Sequence, residues 1–464
     1  MNSEFDVICI GAGPAGEALT AALHGSGLSL AVVENERVGG ECAYWGCMPS
    51  KTQIRSAETL TEAGRARELA ASRVEWTVDF DKVAKRVKWM TRDLDDAGAA
   101  KALEDKGARV VRGTGRLIGP RTVAVDGDRL TASRAIVIAT GTKASAPPIP
   151  GLDGVDYWTN REAVQAVALP RSLVVIGGGA VGVELGQAFA RFGTRVHIIE
   201  ASDRVVSLEE PEAGAFLGRQ LEAEGIHVVT GAKIASVEKV GVGVRLRLQS
   251  GETIEAERLL IAAGRRPSTE GFDLEAAGVK TNSRGFIQVD PATLIAGAGI
   301  YAAGDINGIG GFTHLADYQG TRIGRAIRDA AGSQADHRAV PRVTFTDPEI
   351  GSVGMSERQA AEKGIRVETA SADVGRTARG YIHGEPGGLI KLVADRERKV
   401  LVGATIVSPR AGEMLSELSL ALKLQVPISS MEDLVHPFPT FSRVLQWMFA
   451  ELGSKLEEPV KPPA

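Results

Sequence analysis

Residues 5–16, FDVICIGAGPAG, run an apolar strand straight into three glycines spaced Gly-x-Gly-x-x-Gly. A helical pattern, EALTAALHGSG, follows, and a second apolar strand, LAVVE, ends on Glu34. The same order recurs at 173–200, LVVIGGGAVGVELGQAFARFGTRVHIIE, ending on Glu200. Strand, glycine turn, helix and strand leave few folds open, because such a unit must lie in a parallel sheet with its helix across one face. Gly11 and Gly177 permit the tight turn. Gly13 and Gly179 let a pyrophosphate approach the backbone, and Gly16 and Gly182 let helix pack on strand. Pro14 and Ala15, like Ala180 and Val181, open helices whose N-termini face the phosphates. Glu34 and Glu200 can each accept from a ribose hydroxyl. An acid at Glu200 repels a 2′-phosphate, so NADH is favoured. Arg204 nearby is either a contact that admits NADPH or a solvated surface charge. A single glycine motif is a weak signal. Two, each with its strand, helix and acid, predict an α/β chain with two Rossmann-like dinucleotide-binding domains and an electron relay between two dinucleotides.

A length of 464 residues suggests about two to four domains. Between the two units lie a charged helical stretch at about 80–105, strand-like VVRGTGRLIG and TVAVDG, and the linker APPIPG at 146–151. Beyond residue 200, short strands lead to LLIAAGRRP and the glycine-rich AGIYAAGDING. From about 341 the segments PRVTFTDPEIGSVG, GGLIKLVAD and VLVGATIVSP alternate in polarity as antiparallel strands do. Helices are expected on AGEMLSELSLALKL and from 439 onward, and disorder in the tail KLEEPVKPPA. A net charge of −4 without a basic block excludes neither fold, but it gives no reason to expect nucleic acid or an anionic membrane as partner. No apolar run approaches a membrane span, and MNSEFDVICI has no basic leader, so a cytoplasmic protein is expected.

In that compartment a close cysteine pair is catalytic or metal-binding rather than a structural disulfide. CAYWGC holds Cys42 and Cys47, two of the three cysteines, and no second pair or spaced histidines accompany them. The expectation is therefore a redox pair and no metal. Cys9, in the first strand, reads as core. Tyr44 and Trp45 read as packing residues or as a substrate wall. GAGPAG, GGECAYWGCMPSK, ATGT, GGGAVGVELG, AAGRRP, YAAGDI and VTFTDPEIGSVG occur in this order across almost the whole chain. The ordered set resembles the flavoprotein disulfide reductases, the family of lipoamide dehydrogenase, glutathione reductase and mercuric reductase.

The resemblance implies an FAD-binding domain at 1–150, an NAD(P)-binding domain at 151–268, an FAD-binding continuation at 269–340 and an α+β dimerisation domain at 341–464. It implies a homodimer in which the partner completes each active site. The cofactors would be FAD and NADH, with NADPH admitted, and the substrate a small molecule. By position, Cys42 matches the interchange thiol that meets substrate and Cys47 the thiol beside the flavin. Lys51 matches the lysine at the flavin ring, and Glu184 its ion-pair partner. Asp305, after Gly304, matches the aspartate that bonds the ribityl chain. Thr140 and Gly141, with Gly40, Glu41, Gly264 and Arg265, match cofactor contacts. Electrons would pass from NADH through flavin to Cys47, then through the Cys42–Cys47 disulfide to substrate.

One segment departs from the family. Where its members carry a HxHPTxSE-like run, this chain reads His436-Pro437-Phe438-Pro439-Thr440-Phe441-Ser442-Arg443. Phe438 stands at the acid/base histidine and Arg443 at the glutamate that holds it. Phenylalanine cannot carry a proton, and a positioned acid/base contributes about 10²–10⁴ in rate. His436 is either a substitute base or a structural residue. Phe438 also resembles 2-ketopropyl-coenzyme M oxidoreductase/carboxylase, where phenylalanine spares a carbanion from protonation. Phe438 with Arg443 predicts a drier, more positive site that favours an anionic thiol, disulfide or thioether. The alternatives are reductive C–S cleavage, with or without carboxylation, and direct reduction of quinones by the flavin. The family geometry also predicts a cis Phe438–Pro439 peptide.

Overall fold

A computed structural model describes residues 2–329 and 334–458. The first strand, Asn2–Ile10, lies inside a parallel array, with Leu30–Glu34 and then Ala108–Arg112 on one side. Asp128–Ile138 and then Ile300–Ala302 lie on the other. Val7, Ile8 and Cys9 have no exposed surface, as a strand covered on both faces requires. An antiparallel flap, Gly115–Gly119 with Thr122–Val125, hangs from the edge of Asp128–Ile138. The second unit forms its own parallel sheet in the order 227–229, 195–199, 172–176, 258–261. A three-stranded antiparallel sheet, 234–240, 243–248 and 253–256, lies between its last two strands in sequence. The chain passes between the two parallel sheets twice, and the crossings, Thr142–Ala144 and Arg265–Pro267, pair antiparallel.

The C-terminal part is a five-stranded antiparallel sheet in the order 341–344, 349–354, 400–408, 389–395, 367–372. The expected polar alternation is absent there: every residue of Val400–Ser408 is buried. Both faces are covered. Ile390, Leu392 and Ile406 pack with Leu415 and Leu418 of helix Ala411–Leu424 and with Phe449. Ile350 and Val407 on the other face join the core of the second parallel sheet, with Phe189 and Leu217. Ionic contacts bind the same two bodies. Lys391, 5% exposed, meets Glu210 at 3.1 Å, Glu212 at 2.9 Å and Glu357 at 2.7 Å. Arg342 meets Glu209 at 2.9 Å.

Other local expectations are also corrected. The stretch 80–105 is two helices, Phe80–Met90 and Ala97–Glu104. Arg92, Asp93 and Leu94 take left-handed backbone angles between them and break the periodicity. Helix Cys47–Leu69 carries Pro49 in its first turn, a position that tolerates proline. A helix, Pro211–Ala223, precedes the short strands beyond residue 200. The C-terminal helix begins at Leu445 rather than 439 and runs through Glu457, so the start of the expected disordered tail is helical. Residues 459–464 lie outside the described residues. Among the described residues no helix is long and apolar enough to cross a membrane.

Candidate active site

The two glycine units match hydrogen bond for hydrogen bond. The Gly11 N–H donates to Val33 O (2.8 Å) and the Gly177 N–H to Ile199 O (2.9 Å). Both glycines have left-handed angles, φ 107° and 109°. A Cβ on Gly11 would lie 2.3 Å from Ala139 O, and one on Gly177 2.4 Å from Ala262 O. A Cβ on Gly16 would lie 2.4 Å from Gly11 O, and one on Gly182 1.9 Å from Gly177 O, so helix and strand touch backbone to backbone. Gly179 differs: nothing lies within 4 Å of a Cβ there, and Gly13 has only the Gly40 Cα, at 4.0 Å. These are the open flanks that a bound pyrophosphate would fill. Pro14 and Ala15, and Ala180 and Val181, form the first turns of the helices behind them.

The acids do more than wait for ribose. Glu34 accepts from the Ala12 N–H (2.8 Å) and the Glu36 N–H (2.7 Å). Glu200 accepts from the Gly178 N–H (2.5 Å) and the Ser202 N–H (2.7 Å). Each carboxylate thus buckles its own glycine turn to its own strand, and each oxygen keeps acceptor capacity for a ribose hydroxyl. Burial raises the Glu34 pKa, against those two backbone donors. Arg204 is not a solvated charge. Its side chain is largely buried, bonded to Asp203 (2.8 Å) and Ser207 O (3.0 Å).

Beside the first unit, Thr140 Oγ1 donates to Ser268 O (3.0 Å), and Gly141 O accepts from the Ser268 N–H (3.0 Å). Gly40, Gly264 and Gly304 all have positive φ. The Gly304 N–H donates to fully buried Gln319, which fixes the turn carrying Asp305. Asp305 accepts from Thr142 Oγ1 (2.9 Å), and burial raises its pKa. Glu41 and Arg265, expected as cofactor contacts, lie 3.3 Å apart. Glu41 also takes Arg161 (2.7 Å) and Asn160 (2.8 Å). Burial opposes its ionisation, but Arg265, Asn160 and Arg161 outweigh burial and hold its pKa low. The cluster ties helix Asn160–Val164 of the second unit to the cysteine helix.

Cys42 lies in helix Gly40–Tyr44 and Cys47 opens helix Cys47–Leu69. Both are free thiols, and each shifts the other's ionisation. The neighbouring Cys47, and then burial, push the Cys42 pKa well above the usual thiol range. Cys47 is pulled down to about 6, first by the neighbouring Cys42, with Thr313 and Lys51 adding and burial opposing. Its sulfur lies 3.2 Å from Thr313 Oγ1. Lys51 Nζ meets Glu184 Oε2 at 2.6 Å. Glu184, 4% exposed, also accepts from the Phe345 N–H (2.8 Å), and Lys51 sits 4.9 Å above the Phe345 ring. Thr313 and Phe345 were missed in the sequence, since neither stands in a motif with the cysteines. Tyr44 and Trp45 are packing residues, 3% and 6% exposed, with the Tyr44 hydroxyl on Val38 O and Arg161 over the indole. Cys9 is core, its thiol pushed up to about 12 by burial.

The 436–443 segment has no described contact with the thiols of its own chain. His436 is buried and paired with Glu417 (2.9 Å), its Nδ1 unpartnered among the described residues. Phe438 is 73% exposed and is flanked in sequence by exposed Leu434 and Val435. Arg443 turns back along its own helix, onto Gln446 and the Trp447 ring (5.3 Å). The Phe438–Pro439 peptide is cis, as expected.

Two family signatures match the chain. "Pyridine nucleotide-disulphide oxidoreductase" covers residues 5–320, and the dimerisation domain of the same family covers residues 340–449. A mercuric reductase from Bacillus cereus is 34% identical, over 96% of this chain and 71% of its own. A dihydrolipoyl dehydrogenase from Thermus scotoductus is 36% identical, over 95% of this chain and 96% of its own. Among solved structures, a Cu(II) complex of the HOCl-induced flavoprotein disulfide reductase RclA from Escherichia coli aligns with a TM-score of 0.85 at 25% identity. It covers 97% of this chain and all of that one. LpdA from Mycobacterium tuberculosis aligns at 0.84 and 26%, covering 98% of this chain and all of that one.

Proposed function

Because this chain belongs to the pyridine nucleotide-disulphide oxidoreductases, a family of FAD- and NAD(P)H-dependent enzymes with a dimerisation domain, we propose that it reduces a small acceptor through Cys42 and Cys47. The supporting observation is the polarised thiol pair: a lowered Cys47 against a raised Cys42, beside the Lys51–Glu184 ion pair. FAD, when bound, relays the hydride electrons of NAD(P)H to the cysteines. The open flanks at Gly13 and Gly179, the helix N-termini behind them and Glu34 and Glu200 would hold the two dinucleotides, with NADH preferred. Residues 1–150 with 269–340 form the flavin-binding unit in this reading, 151–268 the nicotinamide-binding unit, and 341–464 the dimer contact. The chain works in the cytoplasm, where NAD(P)H is supplied.

Two electrons break the Cys42–Cys47 bond and leave a dithiol carrying one proton. Thr313 and Lys51 stabilise the charge on Cys47, while Cys42 keeps the proton. Cys42 is the outer thiol, and attack on an acceptor sulfur requires it to lose that proton. With Phe438 in place of a base, Cys47 is the neighbouring group that takes the proton. The acceptor bond then breaks as the Cys42–sulfur bond forms. The half released first takes the proton from Cys47, whose thiolate then attacks Cys42, so that the Cys42–acceptor bond breaks as the Cys42–Cys47 disulfide forms and the second half leaves as thiolate.

A second reading, reductive C–S cleavage in which a carbanion escapes protonation, is favoured by Phe438. In it the segment at 436–443 enters the partner's active site and withholds a proton there. Both readings are tested by anaerobic NADH titration of the flavin-loaded protein across a pH range. Long-wavelength absorbance from a thiolate beside the flavin, appearing at two electrons, is the expected result. Bleaching of the flavin without that band would sink the cysteine reading and point to direct acceptors such as quinones.

A further inference from the structure

The C-terminal domain carries a cleft of about 370 Å³ between the segment Thr377–Glu385 and the residues that follow Phe438. We propose that this cleft binds the acidic group of a small organic anion, recognised by Arg379, Arg410 and the Ser442 hydroxyl, and that the anion is the acceptor's own acidic end. That role rests on the reading of segment 436–443 as part of an active site; the binding itself does not.

The floor of the cleft is Phe441, 6% exposed. The His383 ring lies 5.4 Å from its centroid and the Arg379 guanidinium 5.9 Å. Met414 and Pro439 add apolar wall. Over this surface stand two guanidinium groups that form no ion pair or side-chain hydrogen bond among the described residues, Arg379 and Arg410. The acids nearby are committed elsewhere. Glu385 is held by Arg65 (3.1 Å) and His383 (3.2 Å). Glu349, which Arg410 feels electrostatically, accepts the Gly412 N–H (2.9 Å). Glu413, on the next helix turn, is exposed to water. Two like charges sharing one concave surface repel each other until an anion joins them, and the planar guanidinium fork matches a carboxylate or sulfonate edge. The volume stands at the low end of small-molecule sites, about 300–1,000 Å³, and exceeds what a bare inorganic ion needs. Apolar floor and cationic rim together select an acid with an organic body. The next chain residues carry Phe438, so an occupant here sits at the base of the segment that departs from its family.

The test is calorimetric titration of the flavin-loaded protein with benzoate and, as a neutral isostere, benzamide. Benzoate is expected to bind and benzamide not. Arg379→Gln and Arg410→Gln are each expected to weaken benzoate about tenfold or more. Arg410→Lys should retain part of the affinity, and Ser442→Ala should weaken it less; both are small changes that report even where a glutamine variant folds poorly. Equal benzoate affinity in wild type and variants, or equal binding of benzamide, would overturn the proposal, as would no binding at all. Benzoate binding by a protein whose cysteines NADH cannot reduce would remove the cysteine reading and leave the cleft standing.

Discussion

At the scale of single residues, the proposed chemistry rests on one asymmetric pair of sulfurs. Cys47 has a pKa below that of an ordinary thiol, so its ionisation adds stability that is fully present above the ordinary thiol range and is lost as pH falls through about 6. An ultraviolet titration of the reduced protein should therefore show one thiolate persisting to near pH 6 and the other thiol unionised well into alkali. Thr313→Val removes the bond at 3.2 Å and should raise the lower transition by about one unit or more, the size of one hydrogen bond to a charged group. An unmoved transition would show that the hydroxyl is a bystander. Phe438→His combined with Arg443→Glu restores an acid/base pair at the segment that lacks one. It should speed reduction of a simple disulfide by about 10²-fold or more, and an unchanged rate would mean that this segment does not reach the thiols of either subunit.

At the scale of elements, strand, glycine turn and helix act as one part. The glycines divide into two mechanical kinds. Gly182 is a packing glycine, because a methyl group there strikes the Gly177 carbonyl. Gly182→Ala should cost about 1–3 kcal/mol and lower the unfolding midpoint of the protein. Gly179 has open space at its Cβ, where the proposed dinucleotide would lie. Gly179→Ala should leave the midpoint within about 0.5 kcal/mol and raise the KM for NADH severalfold. Equal effects on both measurements would dissolve the distinction. The sequence was legible here because everything the unit needs lies within one short run. It was less legible where partners are distant. Nothing near CAYWGC signals Thr313 or Phe345. Strand Val400–Ser408 looked one-sided because its second cover comes from helices of another domain.

At the scale of the whole molecule, buried charge binds the second unit to the C-terminal domain. Burial lowers the affinity of Lys391 for its proton, but Glu357, Glu212 and Glu210 outweigh burial and raise its pKa. Its contribution is present below the ordinary lysine range and persists through neutral pH. Glu212 runs the other way. Burial opposes its ionisation, Lys391 overcomes that, and the lowered pKa gives stability at pH above the ordinary glutamate range that is lost in acid as pH falls through the folded value. Lys391→Met strands carboxylates at the interface and should destabilise the protein by about 3–5 kcal/mol. Chemical unfolding would show it as a lower midpoint, and an unchanged midpoint would mean that water already relieves the cluster. The crossings between the two parallel sheets have their own consequence. Thr142–Ala144 leaves the first unit and Arg265–Pro267 returns to it as neighbouring antiparallel strands, with Ala144 opposite Arg265. The entire second unit thus begins and ends at one doorway, and chain ends that lie side by side are what make a domain insertable. It is a cassette with adjacent ends, latched to the cysteine helix by Lys51–Glu184 and to the C-terminal domain by the Lys391 cluster.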